Sequence, residues 1–174
     1  MRRTIFHAFA LLALVAACAF WFANVEIQIE GGAGWASSLP VTFRIEEHWL
    51  LDIFWGGRAM TGYHAWVFSF MAIVFHLPIA FGGKWSVKLE ARVLSSLSLF
   101  WIIEDATWFI VNPAFGWAKL TPADVPWHVH WFLGLPTDYW TFGLVGGAFF
   151  AWSFTSGRWP LKEATTGVPR EIQG

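Results

Sequence analysis

Leu97-Ser98-Leu99-Phe100-Trp101-Ile102-Ile103-Glu104-Asp105-Ala106-Thr107-Trp108-Phe109-Ile110-Val111-Asn112 reads as a membrane-spanning helix with two adjacent carboxylates set inside it. An ionised carboxylate in hydrocarbon costs about 2.5–3.5 kcal/mol on insertion scales, and two side by side also repel each other. A chain that keeps Glu104 and Asp105 there has to supply protons, a cation or hydrogen-bond donors. Ionisable groups at that depth point to a functional site by default; the alternative is a structural role, with one carboxyl protonated and the other bonded to a Trp indole N–H, Ser98 or Arg58.

The rest of the 174 residues fits the same environment. Hydrophobic residues make up 56% and charged residues 13%, well under the share of about a quarter usual in soluble domains. The 14 Trp and 18 Phe suit aromatic belts at bilayer surfaces. A net charge of −1 with scattered basic residues offers nothing to nucleic acid. The single cysteine, Cys18, excludes an internal disulfide and reads as a small core residue.

Three further stretches are long and apolar enough to cross a bilayer core, which takes about 20 helical residues. Thr4–Asn24 follows Arg2 and Arg3. Its Val15-Ala16-Ala17-Cys18 resembles a lipoprotein cleavage box, but the apolar run continues past it, so the expectation is a retained helix. Ala59–Phe81 and Thr137–Ser156 flank the carboxylate-bearing span, taken as Arg92–Asn112 and closed by Pro113. Gly143, Gly146 and Gly147 in the last span would let a neighbouring helix approach closely. The expected architecture is an all-α integral membrane protein: one membrane domain, a four-helix transmembrane bundle, and a polar tail from Gly157.

Charge orients it. With the N-terminus inside, Arg2, Arg3, Lys84, Lys88, Arg92, Arg158, Lys162 and Arg170 are cytoplasmic, and only Arg44, Arg58 and Lys119 are outside. Both termini then lie in the cytoplasm, in the manner of a bacterial inner-membrane protein. Both long aromatic connections, Val25–Arg58 and Pro113–Pro136, face outward. In the first, Phe43–Trp55 alternates apolar and charged residues at helical spacing, which predicts a short helix lying in the interface.

This topology gathers polar groups at the outer side. At 1.5 Å per residue, His64 lies about 8 Å below the outer end of its span, and Glu104 and Asp105 about 10–12 Å below theirs. Asp138 opens the last span at the same side. His128 and His130, in Trp127-His128-Val129-His130-Trp131, point one way if the backbone is extended. His48 and Asp52, four apart, share a helical face. Imidazoles and carboxylates together are a ligand set for a divalent transition metal such as zinc, iron or copper. On that reading His64, Glu104, Asp105, His128 and His130 are the ligands, with His48, Asp52 and Asp138 in support. No spacing of a known metal motif occurs, and Glu104 and Asp105 equally suit acid–base catalysis without a metal. Either chemistry would act on a lipid-like substrate. A non-catalytic subunit of a membrane complex or transporter is the remaining class.

Overall fold

The computed structural model describes residues 2–155; the polar tail, with Arg158, Lys162 and Arg170, and the end of the expected fourth span lie outside the described residues. The protein is mostly helical, and three helices are long and apolar enough to cross a membrane: α1 (Arg2–Glu30), α3 (Gly62–Gly82) and α4 (Val87–Val111). Short elements join them: β1 (Arg44–Ile45), α2 (Trp49–Phe54), β2 (Met60–Thr61), β3 (Trp131–Phe132) and β4 (Leu135–Pro136). The chain then runs helically from Thr137 to Ser153 as α5 (Thr137–Trp140), a π segment (Thr141–Val145) and α6 (Gly146–Ser153).

Helix α4 is the central element and packs against α1, α3 and α6. Ser86 caps its N-terminus, its hydroxyl accepting from Leu89 N at 3.2 Å. The helix ends at Val111, before Asn112 and Pro113, as expected of the residue preceding a proline. Its buried residues Ala91, Ser95, Phe100, Glu104 and Trp108 recur every four or five positions and form one stripe. The opposing stripe on α1 is Val15, Ala19 and Ala23, ending in Glu30. Phe100 packs with Val15, Ala19 and Met71 at one level; Trp108 and Phe109 pack with Ala23, Leu120, Val125 and Tyr139 at another. Small α1 residues opposite large α4 residues let the two helices interdigitate closely.

Several expectations need amendment. The first helix does not stop at Asn24 but continues through Glu26 to Glu30, because Ala23 and Glu30 extend its buried stripe. Cys18 lies on the exposed side of α1 and not in the core. Helical structure in Phe43–Trp55 is confined to Trp49–Phe54, since Arg44–Ile45 pairs as a strand with Met60–Thr61. Gly146 does sit at a close approach: a Cβ there would lie 3.1 Å from that of Ser98 on α4. Gly143 and Gly147 face open space.

The second connection carries its own hairpin. Trp131–Phe132 pairs with Leu135–Pro136 across a two-residue turn in which Leu133 (φ 49°) and Gly134 (φ 79°) are both left-handed, the type I′ pattern matching strand twist. Asn112 ties the helix ends together: its Nδ2 donates to Gly31 O at 2.9 Å, and its Oδ1 accepts from Ala114 N at 2.9 Å.

Candidate functional site

At the Glu30 end of α1 and the Asn112 end of α4 lies a cavity of about 80 Å³. That is room for several waters or one small polar head. Five carboxyl groups line it: Glu26 and Glu30 from α1, Glu104 and Asp105 from α4, and Asp138 from α5, joined by Arg58 and His64. The rest of the wall is largely aromatic, with Trp35, Trp55, Trp101, Trp108 and Trp127 among the lining residues.

Arg58 organises one side. The Gly56-Gly57 turn has φ of 57° and 79°, and Gly56 O accepts from His130 N at 3.2 Å. A Cβ on Gly57 would lie 2.8 Å from the His130 ring, so only glycine lets this turn seat against the His128–His130 segment. The turn is fixed by Arg58 Nε donating to Trp55 O at 3.0 Å. The buried guanidinium then forms an ion pair with Asp138 and lies 3.8 Å from Asp105 Oδ1. The Trp35 ring sits 4.1 Å from its Cζ, a cation–π contact.

His128 lies behind this pair, fully buried. Its Nε2 is 3.6 Å from Asp105 Oδ2 and its Nδ1 is 3.7 Å from Asp138 Oδ1. Asp105 also accepts from Tyr139 Oη at 2.5 Å. Of these groups Asp105 is the most accessible, its side chain 24% exposed against 6% for Arg58 and 2% for Asp138.

The other side of the cavity is acidic. Tyr63 Oη donates to Glu26 at 2.9 Å, and Glu30 Oε1 accepts from Ala36 N at 2.6 Å. Glu104 faces the same cavity as Glu26 and Glu30. Glu104 is 3% exposed and its Oε1 has no donor; Trp108 Nε1, one turn along the same face, has no acceptor. Asp138 Oδ1, in the same wall, and His128 Nδ1 behind it also lack partners; unpaired buried polar atoms are rare and costly, so their clustering at one cavity is informative.

Trp35 and Ala36 close the top. Both are non-glycine residues in left-handed backbone (φ 55° and 52°), held there by the Glu30–Ala36 bond and by Trp35 Nε1 donating to Ala59 O at 2.6 Å. Strain of this kind persists only where the surroundings over-determine it. It stacks the Trp35 ring on His64, centroids 3.8 Å apart, while His64 Nδ1 lies 2.8 Å from Thr61 Oγ1 and caps α3.

The structure thus brings His64, Glu104, Asp105 and Asp138 to one cavity, with His128 directly behind. It does not bring the other expected ligands there. His130 parts from His128 and lies, half-exposed, 3.5 Å from Asp52 at the surface. His48 is exposed at the N-cap of α2, accepting from Leu50 N. Among the described residues, no three His, Cys, Asp or Glu side chains are arranged to hold a metal ion. Where Asp105, His128 and Asp138 converge, the cation is the guanidinium of Arg58, a residue expected on the outer surface.

Glu26, Glu30, Arg58, Tyr63, Tyr139 and Trp35 are site residues that the candidate ligand set did not contain. The i,i+4 spacing of Glu26 and Glu30, in register with Ala19 and Ala23, is a signal for the first two. No protein family, curated protein or solved structure matches this chain, so the site stands on its own geometry.

Proposed function

We propose that this is a small membrane enzyme that transfers protons on a lipid-like substrate without a metal, using Asp105 and Glu104. One observation carries the reading: Asp105 is the accessible member of a buried cluster in which Tyr139 donates to it and Arg58 and His128 lie within ion-pair distance, while its neighbour Glu104 has an unpartnered oxygen and lines the same cavity. Asp105 is the base. Tyr139, His128 and Arg58 hold its carboxylate in one orientation, and a proton taken from substrate can pass to His128. His128 faces Asp138 with its other nitrogen at 3.7 Å, and Arg58 Nη1 lies 3.4 Å from its Nε2. Asp105 returns the proton at a second position of the substrate, so that one proton is moved and no group leaves, while the Glu104 carboxylate holds the substrate in place. The fixed charge of Arg58 disfavours a divalent cation at the Asp105–Asp138 pair and supports the metal-free alternative.

The same reading includes a fourth crossing. Thr137–Ser153 would span about 26 Å at 1.5 Å per residue, near the hydrocarbon thickness. With both termini cytoplasmic, the cavity opens toward the outer leaflet of a bacterial inner membrane. A reporter fused at residue 120 then signals outside; a cytoplasmic signal overturns the orientation.

The activity is tested by reconstituting the protein with a bacterial total lipid extract and profiling lipids by liquid chromatography with mass spectrometry, which resolves isomers of equal mass. The expected result is a lipid species converted by the wild type and spared by Asp105→Asn and Glu104→Gln, with helical content checked by circular dichroism. Identical profiles with and without the wild-type protein would overturn the proposal.

A further inference from the structure

We infer that the cavity binds the ammonium head of an amine-bearing amphiphile, seated between Glu26, Glu30 and Glu104. The inference rests on reading this cavity as the substrate site.

Charge balance gives the first reason. Arg58 is committed to Asp138 and Asp105. Among the described residues, Glu26, Glu30 and Glu104 have no Lys, Arg or His within ion-pair distance, so that wall lacks a cation. A buried carboxylate is retained only when paired or hydrogen-bonded. The second reason is independent of the acidic cluster. Trp108, 3% exposed, lines the cavity one helical turn from Glu104, and its Nε1 is a donor with no acceptor, as Glu104 Oε1 is an acceptor with no donor. A head bearing both an ammonium and an adjacent oxygen satisfies both atoms.

The wall selects the kind of cation. Trp35, Trp101, Trp108 and Trp127 line the cavity, and aromatic faces beside carboxylates are the recognition chemistry of organic ammonium ions. A hydrated inorganic ion would instead call for several convergent oxygen ligands at fixed distance. The size, about 80 Å³, admits a head and not a whole lipid. A second depression lies on the other side of the shared Gly34, Trp35 and Trp127 wall, lined also by Val41, Arg44 and Thr61.

The ammonium could come from a lipid headgroup or from a free long-chain amine, and the test separates the two. The protein is placed in nanodiscs of phosphatidylglycerol and titrated calorimetrically with octylamine and with octan-1-ol. Saturable octylamine binding is expected, weakened about thirtyfold or more by Glu104→Gln and also by Glu30→Gln, with octan-1-ol unaffected by either. Adding phosphatidylethanolamine to the discs lowers octylamine affinity if lipid headgroups occupy the site, and leaves it unchanged if free amines do. Equal binding of amine and alcohol, or octylamine binding indifferent to both substitutions in folded protein, would overturn the inference. Amine binding without lipid turnover would leave this inference standing and remove the enzymatic one; turnover without amine preference would do the reverse.

Discussion

Arg58 and Asp138, eighty residues apart in the chain, form a buried ion pair that joins the Gly56-Gly57 turn to the start of α5. It fixes the positions of Asp105 and His128 as well, because one guanidinium faces all three groups. Removing one partner of such a pair leaves the other charged and unpaired in a dry site. Arg58→Met should therefore cost about 3–5 kcal/mol in denaturant unfolding from detergent. The double variant Arg58→Met/Asp138→Leu should recover part of that loss, since two apolar groups replace the pair. A single variant as stable as the wild type would show the pair to be incidental.

The two tyrosines make parallel bonds with different consequences. Tyr139→Phe removes the 2.5 Å bond to Asp105, and Tyr63→Phe the 2.9 Å bond to Glu26. Each should lower stability by about 1.5–3 kcal/mol, the range for hydrogen bonds to charged groups. Only Tyr139→Phe should also slow turnover strongly, because it frees the base to rotate. Equal effects on turnover would deny Asp105 its separate role.

The spans were legible because they depend on composition and length, which the bilayer reads residue by residue. Glu104 and Asp105 stood out for the same reason: charge inside an apolar run is visible without a fold. His64 and Asp138 followed from depth. What connects them was not legible. Arg58, after a glycine turn at the outer side, suits a carboxylate or a lipid phosphate equally in sequence, and it is the docking of that turn on His130 that buries it against Asp105 and Asp138. His128 and His130 look equivalent in an alternating segment; the turn closed by His128 N to Val125 O sends one inward and leaves the other at the surface with Asp52. Glu26 and Glu30 lie past the fall in hydropathy at Asn24, outside the span that composition marks, whereas helical packing continues to Glu30. Tertiary contacts of loops, and not periodicity, complete this site.

Backbone strain at the lid gives a prediction of opposite sign from most core substitutions. Ala36 is buried with φ of 52°, a conformation that costs a non-glycine residue about 1–2 kcal/mol. Glycine forfeits about 0.5–1 kcal/mol of that gain through backbone entropy, so Ala36→Gly should be neutral to mildly stabilising in thermal unfolding. Two residues away, Gly34→Ala should destabilise by about 1–3 kcal/mol, because its Cβ would collide with the Trp127 ring. A stable Gly34→Ala protein would mean that Trp127 is free to move.

Chelation distinguishes the metal-free reading from the alternative. With Arg58 seated between Asp105 and Asp138, prolonged treatment with a strong chelator should leave both melting temperature and turnover unchanged. Metal bound to the native state would add stability in proportion to the logarithm of its concentration over its dissociation constant. A fall in melting temperature on chelation, reversed by zinc, iron or copper, would restore the metal site.

Glu104 and Asp105 are neighbours, yet substitution should move stability in opposite directions. Asp105 accepts from Tyr139 and lies within ion-pair distance of His128 and Arg58, so Asp105→Asn removes the charge that these groups face and should lower the melting temperature. Glu104 keeps an oxygen without a donor at 3% exposure, a deficit of about 1–3 kcal/mol for a buried polar group. Gln at that position removes the buried acidic group at nearly unchanged size and adds an amide donor to the acidic wall. Glu104→Gln should therefore raise the melting temperature while abolishing turnover, the trade expected where a residue serves chemistry at the expense of stability. A carboxyl retained for structure alone would behave otherwise: its loss would destabilise the fold and leave turnover per folded molecule intact.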